Sequence, residues 1–120
     1  MNEASISPQT ETLAFALHLK PGAAEEYRRR HDEIWPELVD LQRRSGIVRY
    51  EIHLHEPTGL LFAHIERRVD HRMDRFPDSE VWRRWQQHMS GLIEQRDGIP
   101  VRDQLVRVFR MPGQSMNVGD

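Results

Sequence analysis

The chain has 120 residues, of which 17 are Lys or Arg and 19 are Asp or Glu, so its formal net charge is -2. A chain of this length is expected to fold as one domain around one core. The absence of cysteine excludes a disulfide framework, a thiolate nucleophile and a Cys-ligated zinc or iron–sulfur site. The balanced charge argues against a nucleic-acid partner, and no apolar run approaches the ~20 residues that a membrane span requires.

Both ends of the chain are polar. Residues 1–12 mix Ser, Asn, Glu and Pro with few apolar anchors, and residues 112–120 have a similar composition. Such segments are typically poorly ordered, so we predict flexible tails at 1–12 and 112–120 around a domain at 13–111. The N-terminus lacks the apolar stretch of a signal peptide, which predicts a cytoplasmic protein.

The domain begins with a predicted strand at 13–20, in which Leu13, Phe15 and Leu17 alternate with small or polar residues. From residue 23 the apolar period changes to three or four residues, which predicts a helix that continues to about residue 44. Pro36 lies inside this pattern, and its ring disfavours a helical conformation for the preceding residue. We therefore expect a kink or a short break at this proline.

Residues 48–68 have the pattern of a β-hairpin, with two alternating segments separated by turn residues at 56–59. Tight pairing across that turn predicts two faces. The face toward the helices carries Val48, Tyr50, Ile52, Leu54, Leu61, Ala63 and Ile65. The opposite face carries Ile47, Glu51, His53, His55, Leu60, Phe62, His64 and Glu66.

Asp78 or Ser79 is predicted to cap a second main helix, whose buried stripe includes Trp85 and Met89. Residues 105–111 are rich in Val, Phe and Leu and predict the last strand. The resulting order predicts an α+β fold, the ferredoxin-like βαββαβ arrangement with two main helices on one face of a four-stranded antiparallel sheet.

The two predicted helices cover only one face of this sheet. The other face is too apolar in places to be left in contact with water. We therefore predict a homodimer that forms through this sheet face.

A candidate binding pocket lies between the first helix and the sheet. Tyr27 and His31 are four residues apart and share one helical stripe, while Tyr50 and Trp85 are predicted to reach the same layer. Such a pocket suits a small polyhydroxylated ligand, because indole faces stack on sugar C–H surfaces while hydroxyl and imidazole groups bind sugar oxygens. The alternative is an ordinary core in which the Tyr and His side chains are satisfied internally.

A second set of residues has the chemistry of metal ligands. Glu51, His53, His55, His64 and Glu66 alternate along the hairpin, on the face away from the helices. This spacing is unspecific, and we favour a dimer interface or a solvated face over a metal site.

Residues 27–38, with the sequence Tyr-Arg-Arg-Arg-His-Asp-Glu-Ile-Trp-Pro-Glu-Leu, resemble the signature helix of the L-rhamnose mutarotase family. Other stretches agree in order and spacing: the strand ending in Tyr50, Leu-Leu-Phe-Ala at 60–63, Arg84-Trp85 followed by Met89, and Leu105 with Val108-Phe109. The match leaves out only the tails. It implies a dimeric ferredoxin-like α/β barrel and an enzyme that interconverts the anomers of a deoxyhexose, L-rhamnose first, without a metal or an organic cofactor.

The resemblance also implies site residues. His31 corresponds to the family's proton donor, and Tyr27 and Tyr50 correspond to tyrosines that contact the sugar. The family has a pair of tryptophans that contact substrate; Trp85 occupies the first position, but the second is Gln86. An amide in place of a stacking ring exchanges apolar contact for hydrogen bonding, so the alternative substrate is L-fucose or another sugar.

Mutarotation requires an acid at the ring oxygen and a base at the anomeric hydroxyl. A histidine with an ordinary pKa of ~6.5 can serve near neutral pH, and we predict His31 as the acid. Tyr27 would orient His31 or a sugar hydroxyl, while Tyr50, Trp85 and Gln86 hold the pyranose. The base is a water, a tyrosine or a carboxylate.

Two other classes of protein compete with this interpretation. The same fold plan also supports cofactor-free monooxygenases and haem-degrading enzymes, which the fold alone does not exclude. A non-catalytic module would bind a sugar or another metabolite without accelerating the exchange of anomers.

Overall fold

The computed structural model describes residues 9–113. Its strands are β1 (Thr10–His18), β2 (Ile47–His55), β3 (Leu60–Arg68), β4 (Gln95–Arg96), β5 (Ile99–Pro100) and β6 (Arg102–Leu105). Its α-helices are α1 (Ala24–Asp32), α2 (Pro36–Arg44) and α3 (Glu80–Met89), with 3₁₀ turns at Met73–Asp78 and Ser90–Leu92. The main sheet is antiparallel with the order β2-β3-β1-β6, while β4 and β5 pair separately. This arrangement confirms the α+β, ferredoxin-like prediction.

The first strand starts earlier than predicted. β1 begins at Thr10, so residues 10–12 belong to the sheet and not to the predicted N-terminal tail. They are held by the end of β3, where Thr10 Oγ1 donates to the Glu66 carboxylate at 2.9 Å and Arg67 Nε donates to Glu11 at 2.8 Å. The other predicted tail residues, 1–8 and 114–120, lie outside the described residues.

The helix predicted at 23–44 is divided into α1 and α2. Trp35 has an extended backbone (φ -70, ψ 129), and Pro36 is the first residue of α2. Proline fits this position because the first N–H of a helix has no partner within the helix. The predicted break is therefore confirmed. Leu38, in the first turn of α2, is fully buried with 0% exposure.

The pairing of β2 with β3 follows the predicted register from Tyr50 and Ile65 to the turn. A β-bulge between Ile47 and Arg49 interrupts it at the other end. An extra residue in one strand reverses the alternation of side chains beyond it. The prediction for this end was therefore wrong: Ile47 is buried on the helix side at 9% exposure, whereas Val48 is 59% exposed.

Helix α3 begins at the predicted cap, where Ser79 Oγ accepts a hydrogen bond from the Trp82 N–H at 3.5 Å. Its buried residues are Trp85 and Met89, which lie one turn apart on the stripe that faces the sheet. None of the helices within residues 9–113 combines the length and apolar character needed to cross a membrane.

The last strand differs from the prediction. β6 occupies Arg102–Leu105 and pairs with β1. Residues 106–111 form no regular secondary structure, and Val108 is 93% exposed, so the strand predicted at 105–111 was wrong. Strand propensity reflects how well a side chain fits a half-buried pleated surface, and no layer of the described chain covers this segment.

The main sheet has one covered and one uncovered face. The helices cover the face that carries Leu61, Ala63 and Ile65, which form the core with residues such as Tyr27 and Trp85. On the uncovered face Phe62 and Leu105 are 38% and 37% exposed. The covered side also contains a cavity, which residues such as Phe15, Leu17 and Leu61 line.

Candidate active site

A cavity of about 840 Å³ lies between the covered face of the sheet and helices α1 and α3. This volume is within the roughly 300–1,000 Å³ that small-molecule sites occupy. All five predicted site residues line it, namely Tyr27 and His31 on α1, Tyr50 on β2, and Trp85 and Gln86 on α3.

His31 is fixed by its own helix. The Nδ1 atom of the half-buried ring lies 3.2 Å from the Tyr27 carbonyl oxygen. A carbonyl oxygen only accepts hydrogen bonds, so Nδ1 carries the proton and Nε2 is the accepting nitrogen of the neutral ring. Burial lowers the pKa of His31 below 6.5, against smaller opposing effects of the Tyr27 carbonyl and Asp32. The ring is therefore mainly neutral at pH 7, with Nε2 available to take up a proton.

Aromatic contacts define the position of the imidazole ring. The Tyr27 ring centroid lies 4.5 Å from that of His31, and the Trp85 centroid lies 5.5 Å from it with the two ring planes nearly perpendicular. The Trp35 ring packs nearly perpendicular to the Trp85 ring, with the two centroids 5.1 Å apart. Rings packed at these separations hold one another in fixed orientations. The proton-accepting ring therefore has little freedom to turn away from the cavity.

The two phenol groups in the cavity are hydrogen-bond donors. Burial raises the pKa of Tyr27 and of Tyr50 above 10. Both phenols therefore stay protonated at neutral pH. Within residues 9–113 neither phenol has a hydrogen-bond partner, and no side-chain N or O atom is both buried and unpaired. The phenol oxygens thus remain accessible in the cavity, where a ligand can bind them.

Helix α3 contributes one apolar and one polar group to the cavity. Trp85 is buried at 6% exposure, while Gln86 is exposed at the rim. The helix is tied to its neighbours by arginines: Arg30 of α1 donates to the His88 carbonyl, and Arg84 donates to Glu37 of α2 at 2.8 Å. The first of these links connects the helices that carry His31 and Trp85, and the second connects α3 to α2.

Charged residues of the cavity wall were missed in the sequence. Arg28, Asp32, Arg49 and Arg102 all line the cavity. Arg28 and Asp32 directly follow Tyr27 and His31 on α1, and their own spacing of four residues places them on a neighbouring stripe of that helix, which the sequence could have indicated. Arg102 had no such signal, because the sequence around it lacks strand alternation and the predicted strand began three residues later.

The His and Glu set on the hairpin lies on the uncovered face, away from this cavity. His53 Nε2 lies 3.3 Å from Glu51, and His55 Nδ1 lies 2.7 Å from the Thr58 hydroxyl. Among residues 9–113 no group of three or more His, Cys, Asp or Glu side chains is arranged to hold a metal ion. Glu51 and His53 thus contact each other, while His55 and Glu66 each contact a threonine.

Comparison with known proteins identifies the family. Residues 12–111 match the family model described as L-rhamnose mutarotase. The chain belongs to the L-rhamnose mutarotase family. A protein from Jannaschia sp. (strain CCS1) that is named L-rhamnose mutarotase is 50% identical over 103 residues, which cover 85% of this chain and 99% of that protein. Membership in the L-rhamnose mutarotase family makes the protein an isomerase, and it does not favour the oxygenase, haem-degrading or non-catalytic alternatives.

Solved structures agree with this assignment. The crystal structure of an L-rhamnose mutarotase from Formosa agariphila is similar at a TM-score of 0.75 and 33% identity, covering 85% of this chain and 99% of that one. A dimeric ferredoxin-like protein from an uncultured marine organism has a TM-score of 0.54 at 10% identity, covering 88% and 95% of the two chains. The second similarity shows the fold alone, whereas the first lies within the L-rhamnose mutarotase family.

Proposed function

We propose that the protein interconverts the α and β anomers of L-rhamnose in the cavity between α1, β2 and α3. The observation that carries this proposal is the state of His31, whose Nδ1 is bound to its helix while Nε2 has no partner among residues 9–113. The phenols of Tyr27 and Tyr50 likewise have no described partner. A buried tyrosine hydroxyl usually finds a partner, and a sugar supplies hydroxyl groups for all three.

Ring opening transfers two protons and breaks one C–O bond. Nε2 of neutral His31 accepts the proton of the anomeric hydroxyl while the bond between C1 and the ring oxygen breaks. The electron pair of that bond goes to the ring oxygen, which takes a proton from a donor, and C1 becomes an aldehyde. Rotation about the C1–C2 bond followed by the reverse steps gives the other anomer. Positioned acid–base groups typically contribute about 10²- to 10⁴-fold to such a reaction.

His31 serves as a base in one step of this reaction and as an acid in another. The neutral ring accepts a proton in ring opening, and the imidazolium then returns it as an acid in ring closure. The role of acid that the sequence predicted for His31 thus applies to ring closure, whereas in ring opening His31 is the base. The phenols keep their protons at neutral pH because burial raises their pKa. As protonated groups in the cavity, Tyr27 and Tyr50 are the proposed donors to the ring oxygen, either directly or through a water.

Anomer exchange tests the proposal directly. NMR saturation transfer is measured at neutral pH, after dialysis against a chelator, with L-rhamnose, L-fucose and several common aldohexoses in parallel. We expect selective acceleration with L-rhamnose. Acceleration with no sugar would overturn the proposal.

The identity of residue 86 sharpens the choice between the two deoxyhexoses. Gln86 lines the cavity, where its amide is able to accept as well as donate hydrogen bonds, whereas a tryptophan ring only donates. A preference for L-fucose that reverses to L-rhamnose in Gln86→Trp would assign the sugar choice to this side chain. An unchanged preference in Gln86→Trp would exclude Gln86 as its cause.

The proposal includes a homodimer that forms through the uncovered sheet face. Phe62 and Leu105 are exposed there, and Val106, Val108 and Phe109 follow with 73% exposure or more. Contiguous exposed apolar groups of this kind are typical of interaction surfaces. Sedimentation velocity over a range of concentrations measures the assembly, and a monomer at all concentrations would contradict it.

A cytoplasmic location is also part of the proposal. The chain contains no cysteine, so its stability does not depend on the oxidising compartments in which disulfides form. Fractionation of the source cells followed by immunoblotting tests this, and recovery outside the cytoplasmic fraction would contradict it.

A further inference from the structure

Arg102 is a cavity residue that belongs to neither the motif nor the predicted site. It lies on β6 opposite Leu17 of β1. Residues opposite one another in a sheet share a face, so Arg102 points to the covered side although β6 is an edge strand. Its neighbour Asp103 points the other way and binds His18 on the uncovered face at 2.8 Å. The alternation of β6 thus directs the arginine into the cavity and the aspartate out of it.

The guanidinium of Arg102 is held by its flat side. Its central carbon lies 3.7 Å from the centroid of the Phe15 ring, a cation–π contact with a buried aromatic side chain. Stacking occupies the face of the guanidinium and leaves the N–H groups at its edge. The side chain is therefore oriented, while its hydrogen-bonding edge is not consumed by the contact.

The edge of Arg102 has no acceptor among residues 9–113. The ion pairs of the described residues engage the arginines on the helices and at the end of β3, but they do not include Arg102. Its side chain also donates no hydrogen bond to a described residue, although a guanidinium has five N–H donors. Burial and the neighbouring Arg67 lower the pKa of Arg102, while the Tyr50 phenol opposes this change. The group remains charged at neutral pH, close to Tyr50 and without a carboxylate partner.

The N–H donors of Arg102 favour a ligand that has two neighbouring hydrogen-bond acceptors. A guanidinium only donates, and its planar edge matches two acceptor atoms side by side. Adjacent hydroxyl oxygens of a pyranose offer this arrangement. We propose that Arg102 is a specificity-determining residue, an inference that rests on the proposed function. The edge of its guanidinium binds two adjacent hydroxyl oxygens of the sugar, at the end of the cavity where Phe15 and Tyr50 lie.

The first test separates binding from chemistry. Arg102→Met is expected to raise both the KM and the Kd for L-rhamnose about tenfold, which is the effect of losing a hydrogen bond to a charged group. The kcat should stay within about twofold, because the contact is made equally in the ground state and the transition state. Arg102→Lys should lie between the two proteins, since an ammonium keeps the charge but lacks the planar fork. Arg107→Met is the matched control, because Arg107 binds Thr12 and does not line the cavity.

The second test identifies the contact on the ligand. Analogues of L-rhamnose that lack one hydroxyl group at a time are titrated against the wild type and Arg102→Met. We expect two adjacent deoxygenations to weaken binding in the wild type and to have little further effect in Arg102→Met, because the partner is already absent. An unchanged Kd in Arg102→Met, or equal losses for every analogue in both proteins, would overturn the proposal.

Binding is measured in the His31→Asn background as well, so the result does not depend on turnover. A wild-type protein that binds sugars through Arg102 but does not accelerate exchange would refute the proposed function and leave this inference standing. A wild-type protein that accelerates exchange but whose sugar binding does not change in Arg102→Met would support the proposed function and refute this inference. Should Arg102→Met fail to fold, the analogue series is repeated with Arg102→Lys, for which the same loss of coupling is expected in part.

Discussion

The two faces of the main sheet differ more than their shared strands suggest. Leu61 has 1% exposure, whereas the next residue, Phe62, has 38%. On the covered face a cavity contains a neutral imidazole and two phenols without described partners. On the uncovered face His18, His53 and His55 each already lie within hydrogen-bond distance of a neighbour. The proposed chemistry and the proposed association thus lie on opposite sides of one sheet, so substitutions one residue apart can test them separately.

His31→Asn should have the largest effect. Removing the proton acceptor from the covered face is expected to reduce the acceleration of anomer exchange at least ~100-fold. Its melting temperature should change little, because the ring is only half-buried. NMR saturation transfer measures the exchange rate, and His53→Asn on the uncovered face is the matched control that should retain it. An active His31→Asn protein would remove His31 from the mechanism.

Leu61→Ala should lower the free energy of unfolding by about 2–5 kcal/mol, because it leaves a void under the helices. This loss should not depend on protein concentration, since Leu61 lies in the core cluster of its own chain and not on the face proposed for association. Urea denaturation at two protein concentrations measures it. A loss below about 1 kcal/mol would show that the covered face is less tightly packed than described.

Phe62→Asp should act on association and not on the core. A carboxylate on the uncovered face is costly to bury between two copies, so we expect a shift from dimer to monomer at micromolar concentrations. The exchange rate per chain should remain within a few-fold, because all five predicted site residues line a cavity within one chain. Sedimentation velocity and the exchange assay are run on the same sample. An unchanged dimer would exclude this face as the interface.

The bulge in β2 allows a comparison of two adjacent residues. Ile47→Ala should lower the free energy of unfolding by about 2 kcal/mol, whereas Val48→Ala should change it by less than about 0.5 kcal/mol. Their 9% and 59% exposures are the physical reason. Equal losses for the two variants would contradict the bulge.

The pH dependence linked to His31 is expected to be the smallest of these effects. Burial lowers its pKa in the folded protein, so at pH values below about 6.5 the unfolded chain binds more protons there. The associated stability is fully present above that pH and is lost as the pH falls. The wild type should therefore lose more stability than His31→Asn between pH 7.5 and pH 5.5 in urea denaturation. Exchange should decline over the same range, and parallel stability curves for the two proteins would contradict the pKa direction.

Features that depend on nearby residues could be predicted from the sequence. The spacing of Tyr27 and His31 placed them on one stripe, and Pro36 located the break between α1 and α2. The alternation of β2 placed Tyr50 in the same layer. In each case the determinant lies within a few residues of the feature.

Features set by distant partners could not be predicted in this way. The bulge that exchanges Ile47 and Val48 exists only in the pairing of β2 with β3. Arg102 enters the cavity because β6 pairs with β1, while its own neighbours have no strand alternation. The apolar run at 105–111 led to a wrong prediction. A high strand propensity indicates that a segment fits a half-buried sheet surface, but it does not indicate whether another part of the protein buries it.

The hydrogen bond from His31 to the Tyr27 carbonyl has a consequence for divergence among related enzymes. One turn of α1 sets which nitrogen of the imidazole carries the proton. Apart from Tyr27, the residues proposed to recognise the sugar come from other segments of the chain, namely β2, α3 and β6. Descendants of a common ancestor can therefore acquire new sugar preferences through changes in those segments, while the proposed proton-transfer unit on α1 is inherited unchanged.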